Sequence, residues 1–149
     1  MAGAREILAL VALPLVLLLL AGGAMGGEAD GERRPPRLLG APIEIGSPEN
    51  DEGLQRALRF AVAEYNKASN DMYSSRAVRV LSAQRQIVSG VKYIMKVEIG
   101  RTTCPKPATD LQSCAFHDAP HMAKHSVCEF TVYTVPWLNQ IKLLKNTCE

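Results

Sequence analysis

One stretch of this chain has clear helical periodicity, and strand-like segments dominate after it, interrupted by a Pro-, His- and Asp-rich excursion over 105–125. Leu54, Ala57, Leu58, Ala61, Val62 and Tyr65 recur at i, i+3, i+4 and i+7, with Arg56, Arg59, Glu64 and Lys67 at polar positions. That pattern predicts an amphipathic helix over 52–67. Asn50 or Asp51 can cap its start, and Ser69-Asn70-Asp71 is a turn cluster that ends it. Strand-like segments follow. In 91–99, Val91, Tyr93, Met95, Val97 and Ile99 fall on one face and Lys92, Lys96 and Glu98 on the other, with Ile94 the exception. This alternation predicts a half-buried strand. Residues 76–88 read as a strand with an irregular middle, 126–135 and 140–147 as two more, and 42–46 as a short edge strand. One helix followed by sequential hairpins implies an α+β fold, an antiparallel sheet with the helix packed across one face.

The start of the chain reads as a targeting segment. Residues 7–22 are almost wholly apolar, with five leucines between Leu15 and Leu20, preceded by Arg5 and followed by small residues. That is the layout of a secretory signal peptide. The alternative, a membrane anchor, is disfavoured because the run is short for a full span and no Lys/Arg-rich stop signal directly follows. Ala24-x-Gly26 places cleavage near Gly26, so residues 1–26 are expected to be removed and the protein secreted. Residues 27–37 are charged and Pro-rich, a flexible arm. Residues 38–149 then form one domain, long enough for a modest core.

Several function classes are disfavoured. The formal charge is only +2, and no basic block is interleaved with aromatics, so nucleic acid is not an expected partner. The four cysteines, Cys104, Cys114, Cys128 and Cys148, are an even count in a secreted chain and read as two disulfides. Three pairings are open; the sequential one closes the two shortest loops, each contributing about 3 kcal/mol in a chain-entropy account. Paired cysteines leave no nucleophilic thiol, and no serine sits in a nucleophile-elbow motif. His117, His121 and His125 lie four apart near Cys114 and Cys128, but Pro120 interrupts a helix there and the spacing is not a standard zinc pattern. They read as solvated loop histidines. No metal and no cofactor is expected.

Three segments look instead like contact elements. Gln86-Ile87-Val88-Ser89-Gly90 joins two strands, with Ser89-Gly90 as the turn pair, Gly90 supplying positive φ and Val88 near the apex. An ordinary hairpin with Val88 packed inward is the plainer reading. In Val135-Pro136-Trp137-Leu138, Pro136 ends a strand because it cannot donate to the ladder. Lone tryptophans usually belong to cores, but Trp137 in a Pro-Trp turn between strands argues for exposure, and interface anchors favour Trp. Leu38-Leu39-Gly40 puts two leucines at the end of a polar arm, to be buried either by the sheet or by a partner, with Gly40 as hinge.

With these segments in this order, the chain resembles the secreted type 2 cystatins over about residues 37–149. The resemblance rests on Arg37-Leu38-Leu39-Gly40, Glu64-Tyr65-Asn66-Lys67-Ala68-Ser69-Asn70-Asp71, Gln86 to Gly90, Gly100-Arg101-Thr102-Thr103-Cys104, Phe116-His117-Asp118 and Val135-Pro136-Trp137. It implies a five-stranded antiparallel β-sheet wrapped around one long α-helix, and the consecutive disulfides Cys104–Cys114 and Cys128–Cys148. It implies no enzymatic activity but tight, reversible inhibition of papain-like cysteine proteases, including cathepsins. The family's three-part wedge maps onto Leu38-Leu39-Gly40, Gln86-Ile87-Val88-Ser89-Gly90 and Pro136-Trp137. Some members inhibit legumain through an Asn after the helix, which makes Asn70 the candidate. Many relatives have Gly-Gly where this chain has Gly40-Ala41, which bears on protease preference. A monomer is expected, able to exchange its helix and first strand into a domain-swapped dimer if Val88 is held in a strained turn that straightening 76–99 would relieve.

Overall fold

The structure, a computed structural model, describes residues 40–149. The proposed signal peptide, the arm and Leu38-Leu39 lie outside the described residues. Five strands form one antiparallel sheet in sequence order: β1 (Ile43–Glu44), β2 (Tyr73–Ile87), β3 (Val91–Pro105), β4 (His125–Val135) and β5 (Gln140–Cys148). One helix, α1 (Glu52–Ala68), packs on one face.

The helix forms where the periodicity predicts it. Of the two candidate caps, Asp51 is used: its Oδ1 accepts the Leu54 N–H at 2.9 Å, satisfying one of the orphan donors of the first turn. Leu54, Ala57, Leu58, Ala61 and Val62 are all buried, which is the predicted stripe. They meet Tyr93, Met95, Val97 and Ile99 of β3, Phe130 and Val132 of β4, and Ala83 of β2. The alternating residues of β3 therefore face the helix as expected. Phe130, Leu54 and Val97 are fully enclosed, and truncating a side chain such as Leu54 or Phe130 to Ala typically costs about 2–5 kcal/mol.

The irregular middle of β2 has a physical cause. The register with β3 shifts between Ala77 and Arg79 and again between Val80 and Ser82, so Val78 and Leu81 are the extra residues of two bulges. Bulges bend a strand and increase its twist. Both bulged side chains point into solvent, leaving Ala77, Val80 and Ala83 to pack against the core. Both long strands also outrun their predicted ends. β2 begins at Tyr73 and β3 continues to Pro105, because these segments pair with each other. The start of β2 has a second partner in the helix. Asn66 accepts from the Ser75 N–H at 2.8 Å and donates to the Ser75 carbonyl at 2.9 Å, so its amide replaces a strand neighbour.

Both predicted sequential disulfides form, Cys104–Cys114 and Cys128–Cys148. The first staples the 105–125 excursion at its start, and the second joins residues directly opposite each other on β4 and β5. Of the three histidines read as solvated loop residues, His121 and His125 are exposed, and His117 is the one that departs from the expectation. His117 packs edge-on against Tyr73 with centroids 4.7 Å apart, and its Nε2 is buried without a hydrogen-bond partner. His125 opens β4 opposite Gly100, 3.5 Å from Glu98.

The far end of the helix is pinned by an ion pair. Asp71, just after the C-cap Ser69, accepts from Arg101 Nη2 at 2.6 Å and from the Tyr73 N–H at 3.0 Å. Its side chain is only 11% exposed. Burial works to raise the Asp71 pKa, but the Tyr73 N–H and the Arg101 guanidinium outweigh it and the net shift is downward. A carboxyl that titrates lower when folded stabilises fully above its ordinary value of 3.8 and loses that stabilisation as pH falls through the folded value. Asp71→Ala should therefore lower stability by about 2 kcal/mol at neutral pH. In urea titrations the gap to the parent should shrink in strong acid; a gap that stays constant would assign the loss to packing.

Candidate functional site

At the end of the sheet nearest the helix N-terminus, the strands outrun the helix. Inward positions of β2 run Ala83, Arg85, Ile87. Ala83 is buried, Arg85 reaches the helix cap, and Ile87 lies beyond any cover at 58% exposure. The exposed apolar character of this end thus follows from a mismatch in element lengths.

The β2–β3 hairpin closes over Val88-Ser89-Gly90, with Ile87 opposite Val91 and the Val88 N–H donating to the Gly90 carbonyl at 3.0 Å. Positive φ falls on Ser89 (+50°) and Gly90 (+154°), not on Val88. Gly90 is required here for space as well as conformation. A Cβ would sit 2.8 Å from the Thr134 carbonyl oxygen and 2.9 Å from the Tyr133 ring. Tyr133 in turn donates its hydroxyl to the Ser89 carbonyl at 3.1 Å. The first loop is therefore seated directly on the end of β4.

β4 leads straight into the second loop. After Val135, Pro136–Leu138 make one turn of 3₁₀ helix, and Asn139 in left-handed conformation (φ +51°) returns the chain to β5. Trp137 is 68% exposed and Leu138 59%. Trp137 is thus the projecting turn residue rather than a core residue.

Gly40 reaches the same end from the other side. Its φ of +85° is one that L residues rarely adopt, and its carbonyl accepts from Gln86 Nε2 at 2.6 Å. The short β1 that follows pairs with Arg85 and Gln84. Of the predicted wedge residues, Gly40, Gln86, Ile87, Val88, Ser89, Gly90, Pro136 and Trp137 are brought to one end of the sheet, while Leu38 and Leu39 lie outside the described residues.

Asn70 is not part of this cluster. It lies past the opposite end of a 17-residue helix, about 25 Å long by helical rise. It is exposed between two anchored neighbours. Ser69 Oγ accepts the Asp71 N–H at 3.1 Å and the Ser69 carbonyl accepts Lys106 Nζ at 2.8 Å, while Asp71 is held by Arg101.

Among the described residues no three His, Cys, Asp or Glu side chains converge as a metal site, and no helix is long and apolar enough to cross a membrane. What the arrangement offers is a row of exposed apolar groups on tightly tied loops.

Comparison with known proteins matches this architecture. Residues 40–137 fit the family described as Cystatin domain. The chain is 62% identical to Cystatin of Gallus gallus over 149 residues, covering all of both chains. It is 48% identical to Cystatin-C of Homo sapiens over 140 residues, covering 94% of this chain and 93% of that one. The structure of dimeric human cystatin F superposes with a TM-score of 0.68 at 32% identity, over 81% of this chain and 95% of that one. The chain belongs to the cystatin family, whose members are inhibitors of cysteine proteases rather than enzymes.

Proposed function

We propose that this protein blocks papain-like cysteine proteases of the cathepsin type, reversibly and without being cut, by seating a three-part wedge in the active-site cleft. The observation that carries this reading is the convergence of Gly40, the 86–90 loop and the Pro136-Trp137 turn at one end of the sheet. Ile87, Trp137 and Leu138 hold apolar surface in water there, and loops tied by Tyr133 and Gln86 lose little entropy on binding. Leu38 and Leu39 fill non-primed subsites, Leu39 the main specificity pocket. Gly40 turns the chain away before a peptide bond reaches the nucleophile, and the first loop and Trp137 pack on the primed side. An interface of ordinary size, about 1,600 Å² in total, is enough for the tightest protease inhibitors.

The working form is the exported domain 38–149 with its arm 27–37, freed of residues 1–26, acting outside the cell as a monomer. The left-handed Ser89 supports a second state in which the hairpin straightens and two copies exchange α1 and β2. A second inhibitory surface, for legumain, centres on Asn70, supported by its exposure between two anchored residues.

Titration of active-site-quantified papain with the refolded mature domain tests the wedge. Stoichiometric loss of activity, with the inhibitor recovered intact, is expected; papain that stays fully active at micromolar inhibitor would overturn it. Trp137→Ala should raise the inhibition constant at least about fivefold, a loss of ~1 kcal/mol. Gly90→Ala should also weaken inhibition, by unseating the first loop from Thr134 and Tyr133. For the second surface, Asn70→Lys should abolish legumain inhibition and leave papain inhibition intact; undiminished legumain inhibition would sink that assignment.

A further inference from the structure

We propose that Arg85 and Asp51 form a positioning clamp that fixes the first wedge loop and the Gly40 hinge to the helix N-terminus. The inference rests on the wedge reading and adds two residues that lie outside the wedge itself. Arg85 occupies an inward-facing position where a strand packed on a helix ordinarily carries an apolar residue. Its neighbours across the sheet are Ile43 on β1 and Tyr93 on β3, so three strands meet at this residue.

Arg85 Nη1 donates to Asp51 Oδ2 at 3.1 Å. The other oxygen of the same carboxylate accepts the Leu54 N–H. One carboxylate thus caps the helix and holds the strand. The Tyr93 hydroxyl lies beside it, over Gly53. A Cβ on Gly53 would lie 2.1 Å from the Tyr93 hydroxyl and 3.4 Å from Asp51 Oδ1. Burial, and then the Asp51 carboxylate, raise the Tyr93 pKa, with Arg85 opposing them, in keeping with the closeness of the three groups.

The next residue along β2 is Gln86, whose side chain holds the Gly40 carbonyl at 2.6 Å. A connected path therefore runs from the helix cap through Arg85 to Gln86 and Gly40, the parts that enter first and turn away. The Arg85 side chain is 42% exposed and Asp51 17%. A pair this accessible contributes at most modestly to global stability, but small angular errors at the base of a loop are enlarged at its tip.

A double-mutant cycle read in papain inhibition separates this role from a structural one. Asp51→Asn keeps an acceptor for the Leu54 N–H and removes the charge; Arg85→Ala removes the partner. Each single variant, checked as folded by circular dichroism and thermal midpoint, should raise the inhibition constant by about fivefold, as a pair worth ~1 kcal/mol gives. The double variant should be no worse than either single one, and Arg85→Lys should recover part of the loss. Additive effects would overturn the clamp, since they would mean that Arg85 and Asp51 act on inhibition independently of each other. Unchanged inhibition constants in all variants would overturn it as well, leaving the wedge standing. A parent that does not inhibit papain would remove the wedge reading and the clamp together.

Discussion

Burial of five helical side chains, Leu54, Ala57, Leu58, Ala61 and Val62, organises the rest of this molecule. A single helix cannot shield its own apolar stripe, so the chain must supply a matching surface from elsewhere. It does so with alternate residues of β3 and β4 and the inward positions of β2. Bulges at Val78 and Leu81 bend β2 and put the surplus residues outside. The ends of the helix are then held by two similar devices, Asp51 with Arg85 at the start and Asp71 with Arg101 just beyond the finish. Packing decides that the helix lies on the sheet, and the paired charges tie its two ends to β2 and β3.

The length of the helix relative to the strands is what creates the two exposed ends. At one, β2 and β3 run past the helix cap and Ile87 has no cover. At the other, the chain turns through Ser69-Asn70-Asp71 before entering β2, and Asn70 is left outside the hydrogen bonds that hold its neighbours. The surfaces proposed for proteases are both places where secondary structure runs out, where a chain can present side chains without disturbing the core.

Much of this was legible in the residues, and the reason is periodicity. The helix boundaries, the face of β3 and the order of the hairpins follow from spacings of 3.6 and 2 that packing reinforces. The disulfide pairing and the grouping of Gly40, Gln86–Gly90 and Pro136-Trp137 rest instead on likeness to a family. Local pattern stopped being informative where partners are distant. Nothing near Asn66 signals that its amide bonds Ser75, and nothing near Arg85 signals Asp51, 34 positions earlier. The extension of β3 to Pro105 leaves no local pattern because Gly100-Arg101-Thr102-Thr103 does not alternate in polarity; its strand character comes from pairing with Tyr73 to Arg76. The packing of His117 is hidden from local pattern for the same reason, since Tyr73, which covers it, lies 44 positions away.

Both covalent crosslinks lie toward the end of the sheet away from the wedge loops: Cys104 near the finish of β3, and Cys128 and Cys148 near the outer ends of β4 and β5. The loops at the opposite end are secured only by hydrogen bonds and shape. This division has a consequence for change over time. Residues such as Ile87, Trp137 and Leu138 contribute little to the core, so they are free to be exchanged one by one while the stapled half keeps the domain folded. A scaffold arranged in this way can be retuned to new targets by surface substitution alone, in nature or by selection in the laboratory.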